Sequence, residues 1–374
     1  MRLIISGGGT GGHVYPALAV VQSLNRLCAE ANIEPKILWV GSVGGMEQQL
    51  VERAGLEIEL IPAGGLRGKS PVAALRGLWA LVRGYRRSRQ ILRWFQPDAL
   101  FVTGGYVCVP VTLAARQTGI ASLIYLPDIE PGLAIKFLSR FVDRVAVTTT
   151  ETKKFFKPGQ TVVTGYPVRE ELLVDTSAEA KANARRELGL ESNLPVLLVF
   201  GGSRGARSIN RALTNEIARY LAVSQIIHIT GSLDAEWVLA RRDELAPMLQ
   251  QRYHVFDYMH EAMTSALLAA DLVISRAGAS VLGEFPSIGL PAILVPYPYA
   301  GTHQALNADY LARQQAAVVV KDADLSRNLS RIAIDLLTHE EKMQAMSQAC
   351  RRLARPDAAA HLAREILEVN RNGN

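Results

Sequence analysis

Short apolar runs alternate with stretches of helical periodicity along the chain. Residues 3–6, 37–40, 99–103, 122–126 and 144–148 are apolar runs of strand length. The spacing between them predicts helices, among them 17–32 and 45–54. The pattern then restarts: a strand at 195–200 runs into a glycine-rich turn, and further strands follow at 226–230, 254–256, 272–275, 292–296 and 317–320. A helix over 176–187 precedes this second series, and helices from Leu325 and from Pro356 close the chain. Strand–helix alternation predicts parallel sheets covered by helices. Each half opens with a strand and a glycine turn, which predicts two Rossmann-like α/β domains facing each other across a cleft. Pro and Gly at Gly165-Tyr166-Pro167 place the boundary there, giving domains 1–164 and 165–355. Residues 356–374 read as a terminal helix packing back on the first domain.

Composition fits this picture. The chain has 374 residues, enough for two cores, with 49% hydrophobic and 20% charged residues, which excludes disorder. Cys28, Cys108 and Cys350 stand far apart with no metal-ligand spacing, and fit buried thiols in a reduced compartment. The opening apolar run stops at Ser6, too soon for a signal peptide, and the charge-free stretches 99–115 and 285–308 are broken by Gly and Pro. The net charge is +6, but residues 60–97 hold no acid and eight bases, leaving −2 for the remainder. One basic segment, not a basic protein, needs an explanation.

The first turn, Gly7-Gly8-Gly9-Thr10-Gly11-Gly12-His13, satisfies GxGxxG between a strand and a helix. A dinucleotide site also needs an acid at the end of the second strand, which here reads Val40-Gly41-Ser42, so a nicotinamide dehydrogenase is disfavoured. His13 fits a helix-start histidine bonded to the backbone, or a catalytic base or acceptor-binding group; spacing leaves both open. The second turn, Gly201 to Arg207, lacks the Lys-Ser/Thr of a nucleotide-hydrolysing loop, yet it is rich in N–H donors, with Ser203 available to a phosphate. A further strand-to-helix turn at 275–280 precedes Glu284, and a Pro-rich loop leads to His303, Gln304 and Asn307. Ligands of open parallel sheets bind at such strand ends.

Taken together, GGTGGHVYPALAV, VTGGYV, GYPVR, GGSRGARSIN, ADLVISRAGASVLGE and GLPAILVPYPYAGTHQALNA resemble the MurG family of peptidoglycan glycosyltransferases over nearly the whole chain and in order. The resemblance implies a GT-B fold and inverting transfer of N-acetylglucosamine from UDP-GlcNAc to lipid I, giving lipid II. It implies that Glu284 binds the ribose hydroxyls, and that Ser203, the neighbouring backbone from Gly202 and Arg169 hold the diphosphate. Phe256 would border the uracil, Ala279 would line the donor site in its turn, and Gln304 would contact the sugar beside His303. Thr10, Gly11, Gly12, His13 and Tyr106 would face the acceptor. The family is generally metal-independent, so the resemblance implies no cofactor and no metal; the Asp322-Ala323-Asp324 pair is expected to N-cap the helix starting at Leu325.

One segment departs from the family pattern. Where the family has His-Glu-Gln-Asn before Pro-Gly, this chain reads Tyr125-Leu126-Pro127-Asp128-Ile129-Glu130-Pro131-Gly132, with Ile135 in place of a later Asn. Asp128 is a candidate general base or a ligand for a different acceptor hydroxyl; a loop carboxylate capping a turn is the alternative.

Within the basic segment, helical spacing sets Leu75, Leu78, Trp79 and Val82 on one face and Arg76, Arg83 and Arg87 on another. That suits an interfacial helix on anionic lipid, and no nucleic-acid motif accompanies it. The partners expected are UDP-GlcNAc, a lipid-linked acceptor and an anionic membrane surface, with the protein peripheral on the cytoplasmic face of the cell membrane. The alternatives are a different glycolipid acceptor, a UDP-GlcNAc 2-epimerase-like reaction, and a non-catalytic UDP-sugar-binding homologue.

Overall fold

The structure is a computed structural model. It describes residues 1–372 except Thr10, 65–70, Val174, 203–204, 260–261 and 300–301; the side chains of 71–75 and 370–372 are also outside the description. The chain divides into two compact units, one of Met1–Arg169 with Pro356–Asn374 and one of Glu170–Arg355.

The first unit carries seven parallel strands: β1 (Arg2–Gly7), β2 (Lys36–Ser42), β3 (Glu57–Ile61), β4 (Ala99–Gly104), β5 (Ala121–Leu126), β6 (Arg144–Val147) and β7 (Thr161–Val163), in the order β3-β2-β1-β4-β5-β6-β7. Its helices include α1 (Gly11–Glu30), α2 (Glu47–Arg53), α3 (Pro71–Phe95), α4 (Cys108–Gln117) and α5 (Leu133–Leu138). Period-two alternation splits the apolar side chains between two faces. Leu3, Ile5, Trp39, Phe101 and Leu123 pack on Val14, Ala17, Val20 and Leu24 of α1. Ile4, Leu38, Leu100, Val102 and Ile124 pack on Ile91, Leu92 and Phe95 of α3 and on Val111 and Ala114 of α4. The helix Ala358–Asn372 joins the first of these cores through Leu362, Ala363, Ile366 and Val369, and its Glu365 pairs with Arg144 of β6.

The second unit repeats the scheme with β8 (Val196–Phe200), β9 (Gln225–Ile229), β10 (Tyr253–Phe256), β11 (Leu272–Ser275), β12 (Ala292–Leu294) and β13 (Ala317–Val319), in the order β10-β9-β8-β11-β12-β13. Leu197, Val199, Ile226, Leu272, Ile274 and Ile293 pack on Ile209 and Leu213 of the helix Arg207–Asn215 and on Leu325, Leu329 and Ala333 of the helix Leu325–Thr338. In both units the first strand lies between the second and the fourth, so the strand order reverses at β1 and at β8, where the two glycine turns emerge.

Three details differ from the sequence expectation. β3 and β7 are extra strands; both lie at sheet edges, half-buried, and β3 carries Glu57 and Glu59, so neither shows a continuous apolar run. The units part between Arg169 and Glu170 rather than at Gly165, because Tyr166 and Val168 are buried and the Gly165 carbonyl accepts a hydrogen bond from Tyr125 at 3.3 Å. Asp324 stands at the N-cap position of the helix Leu325–Thr338 without a side-chain capping bond, and Asp322 is engaged elsewhere, so N-capping is not what this acid pair does.

Candidate active site

In the first unit the glycine loop leaves β1 and enters α1. Gly9 takes φ +86°, a conformation costly for any other residue, which turns the chain toward the helix. Gly8 donates its N–H to the Gly104 carbonyl at 3.2 Å, tying the loop to the end of β4. There the backbone runs through Gly104 at φ +121° and Gly105 at φ +92°. Both approaches are close: a Cβ on Gly105 would lie 2.5 Å from the Gly8 carbonyl oxygen, and one on Gly104 2.7 Å from Cε1 of His13. The imidazole of His13 thus lies against bare backbone.

His13 sits in the first turn of α1, and its carbonyl accepts from the Thr103 hydroxyl at 2.8 Å. Its Nδ1 is buried and has no hydrogen-bond partner among the described residues. Burial lowers the His13 pKa below 6.5; the negative charge of Asp128 is the main opposing influence, followed by the Thr103 backbone and Glu47. The structure therefore brings His13 and Asp128 into electrostatic reach of each other. Asp128 follows β5, half-buried, above a hydrogen-bonded base: the Thr148 hydroxyl donates to the Pro127 carbonyl at 2.8 Å and meets the Tyr125 hydroxyl at 2.9 Å. Burial raises the Tyr125 pKa well above 10, and Asp128 adds to that. A neutral imidazole within the field of a carboxylate can accept a proton and have the resulting cation stabilised.

The other acceptor-side candidates lie close by in the chain. Gly11 and Gly12 open α1, with the Tyr15 ring 3.1 Å from where a Cβ on Gly11 would lie, and Tyr106 is 45% exposed just before α4. Thr10 lies outside the described residues. Arg169, expected on the donor diphosphate, is the last residue of the first unit, and its guanidinium lies 5.8 Å above the Tyr15 ring.

In the second unit the loops follow β8, β11 and β12, three adjacent strands. Gly202 and Gly205 take φ +89° and +71°, and the Gly205 N–H donates to the Gly202 carbonyl at 2.9 Å, just ahead of the helix Arg207–Asn215. A Cβ on Gly205 would lie 2.3 Å from the Thr230 carbonyl oxygen. Ser203 lies outside the described residues. Ala279 begins the turn Ala279–Leu282 after β11, and Glu284, half-buried, begins the short helix Glu284–Ile288. His303 and Gln304 open the helix His303–Arg313, where the Gln304 amide oxygen accepts from the Tyr297 N–H at 2.8 Å, and Asn307 donates to the Ala277 carbonyl at 3.1 Å. Phe256 ends β10 half-buried, its carbonyl accepting from the Thr230 N–H at 2.9 Å.

Two supporting networks escaped the sequence reading. Asn210 donates to the Thr230 carbonyl and to Asp234, both at 2.9 Å. Its amide oxygen is left to accept from His228 Nε2 at 3.0 Å, so His228 carries its proton there and accepts from the Tyr253 hydroxyl at Nδ1, 2.7 Å away. Burial pushes the His228 pKa down to about 3, which keeps the ring neutral. The network fixes the Thr230 carbonyl on which the Gly205 turn rests. In the second network Arg276 pairs with Asp322, Ser208 donates to Asp322 and accepts from Arg276, each at 2.8 Å, and the Arg276 guanidinium lies 5.2 Å over Tyr297. Asp322 is thus a structural partner of a buried arginine. Among the described residues no three His, Cys, Asp or Glu side chains are grouped to hold a metal ion.

On α3, Gly77, Gly84, Ser88, Ile91 and Leu92 face the unit; a Cβ on Gly84 would lie 2.3 Å from the Pro62 carbonyl oxygen. Leu78, Trp79 and Val82 are exposed by 51%, 63% and 40%, as are Arg76 and Arg83, while Arg87 is held by Glu59 at 2.9 Å. The side chain of Leu75 lies outside the described residues. No described helix is long and apolar enough to cross a membrane.

Two parallel-sheet α/β units, each with its glycine turn at the strand-order reversal, define the GT-B class of glycosyltransferase folds. The glycosyltransferase family 28 N-terminal domain matches residues 3–147 and the family 28 C-terminal domain residues 196–362. A Roseiflexus protein named UDP-N-acetylglucosamine–N-acetylmuramyl-(pentapeptide) pyrophosphoryl-undecaprenol N-acetylglucosamine transferase is 41% identical, covering 97% of this chain and 94% of its own. One of the same name from Desulforamulus reducens is 39% identical over 99% of each. Among solved structures, MurG of Acinetobacter baumannii superposes with a TM-score of 0.75 at 26% identity, covering 98% of this chain and 99% of its own. The chain belongs to the MurG family of glycosyltransferase family 28. The UDP-GlcNAc 2-epimerase of Neisseria meningitidis, at TM-score 0.69 and 14% identity over 98% of this chain and all of its own, shares the fold.

Proposed function

We propose that this chain transfers N-acetylglucosamine from UDP-GlcNAc to the lipid-linked muramyl-pentapeptide acceptor, making lipid II. The observation that carries this is identity of 35–41% along essentially the full chain with transferases of that name. The altered segment at Asp128 lies within that full-length likeness, so a changed acceptor is not needed to account for it. The second unit holds the donor through Gly202 and Ser203 at the diphosphate, Glu284 at the ribose, Phe256 at the base, and Gln304 at the sugar beside Ala279 and His303, and Arg169 adds its charge to the diphosphate. His13 removes the proton from the acceptor hydroxyl as UDP leaves, and Asp128 stabilises the imidazolium. N–H dipoles and arginine neutralise the leaving group without a metal.

Leu78, Trp79 and Val82, flanked by Arg76 and Arg83, dock the first unit on an anionic membrane at the cytoplasmic face, where the acceptor lies. Arg87 contributes less, because Glu59 already neutralises it.

The test is UDP release from UDP-GlcNAc with and without a lipid I analogue in anionic micelles. Release that depends on the analogue and yields the disaccharide supports the reading. Donor binding without analogue-dependent release refutes it. Flotation with vesicles tests the docking face: Trp79→Ala with Arg83→Glu should abolish binding to anionic vesicles, and binding indifferent to anionic lipid would overturn it.

A further inference from the structure

The first glycine loop has an anion of its own. Glu47, in the first turn of α2, is fully buried and accepts from the Gly9 N–H at 3.1 Å, from the Ser42 N–H at 2.7 Å, and from the Ser42 hydroxyl. Its carboxylate lies so close to Gly8 and Gly45 that Cβ atoms there would sit 2.4 Å and 2.3 Å from its Oε1. In phosphate-binding turns of this kind, loop N–H groups point at a bound anion. Here a side chain five residues beyond β2 supplies the negative charge, and the missing side chain of Gly8 makes room for it. On its other side the loop is pinned by the glycine pair after β4, through the Gly8–Gly104 hydrogen bond and the contact of Gly105 with the Gly8 carbonyl.

We propose that Glu47 is a positioning residue for transfer: its carboxylate is the built-in anion of the glycine loop, clamping that loop against Gly104 and Gly105 and so fixing the imidazole of His13. This rests on the reading that His13 acts in the reaction. A buried carboxylate with three donors is well satisfied, and removing its charge leaves the Gly9 N–H and the two Ser42 donors facing no anion. Glu47 also acts electrostatically on His13, together with Asp128; the other titratable groups packed nearby, Cys108 and Tyr125, are neutral, their pKa values raised by burial.

The experiment compares Glu47→Gln and Glu47→Asp in the full chain, each verified to unfold cooperatively. It reads kcat, KM for UDP-GlcNAc, and the His13 imidazole titration by nitrogen-15 NMR, assigned by its loss in His13→Gln. Glu47→Gln should lower kcat by about 100-fold, the scale of an ångström-level misplacement, while KM for the donor stays within about twofold. The His13 midpoint should fall, because one neighbouring negative charge is gone. Glu47→Asp, with its charge kept, should restore that midpoint and part of the rate. An unmoved His13 midpoint with kcat within about threefold would overturn the proposal, as would equal losses in kcat and donor affinity in both variants. If His13→Gln itself transfers at full rate, the role given to His13 fails instead, and the NMR titration still decides whether Glu47 governs that ring.

Discussion

Adding one methyl group at Gly104 should damage catalysis more than stability. The new Cβ would lie 2.7 Å from Cε1 and 2.8 Å from Nδ1 of His13, so the ring must recede by roughly half an ångström or more to reach ordinary contact at 3.4 Å. The backbone φ of +121° adds strain for any L side chain. Strain and overpacking together cost roughly 2–5 kcal/mol, within the stability of an ordinary domain. A general base displaced on this scale loses up to about 100-fold in rate. Gly104→Ala should therefore lower the melting temperature of the first unit, leave UDP binding by titration calorimetry unchanged, and reduce kcat with a lipid I analogue by about 10- to 100-fold. In a His13→Gln background the same substitution should cost little further rate, because the group it displaces is already gone. Gly104→Ala with a kcat within about twofold of the parent would refute the placement of His13 as a reacting group. A rate loss that persists undiminished in the His13→Gln background would show that Gly104 acts through something else.

Other consequences can be checked in parallel. Asn210→Ala takes the Asn210 partner from the Thr230 carbonyl and the His228 Nε2–H, and one donor from Asp234, which keeps Arg207 at 2.8 Å; it should cost about 2–4 kcal/mol in urea denaturation and weaken UDP binding, and a loss below about 1 kcal/mol would contradict the network. His228, whose pKa falls to about 3 from 6.5, is neutral in the folded chain, so stability is independent of it above pH 6.5. Below that the unfolded chain takes up a proton that the folded one refuses, and stability should fall by about 1.4 kcal/mol per pH unit toward pH 3. His228→Asn should flatten this slope. Asp322→Ala leaves Arg276, whose side chain is 10% exposed, without its counter-charge, and should destabilise by about 3–5 kcal/mol, whereas EDTA should leave the transfer rate unchanged. A rate abolished by EDTA and restored by a divalent cation would overturn metal-independent transfer.

Much of the architecture is written in the linear pattern. Central strands of an all-parallel sheet are buried on both faces and must be apolar throughout, so β1, β4, β5, β8 and β11 are legible as continuous runs. The glycine turns are legible because positive φ and close backbone approach admit no other residue. Edge strands β3 and β7 were not legible, since a half-exposed strand can carry Glu57, Glu59 or Thr161 without cost. The basic helix was visible from spacing, but only packing shows that Arg87, though exposed, is paired with Glu59. Pairings across long sequence distance were also invisible: Arg276 meets Asp322, and His228 meets Asn210 and Tyr253, because strand order, not sequence, brings their segments together, and the same topology puts His13 within the electrostatic reach of Asp128. Glu47 is the sharpest case. Its local sequence, Met46-Glu47-Gln48-Gln49, carries no sign of a buried acid. Only the parallel pairing of β1 with β2 puts the start of α2 against the glycine loop, where a buried carboxylate is stable because three donors meet it there.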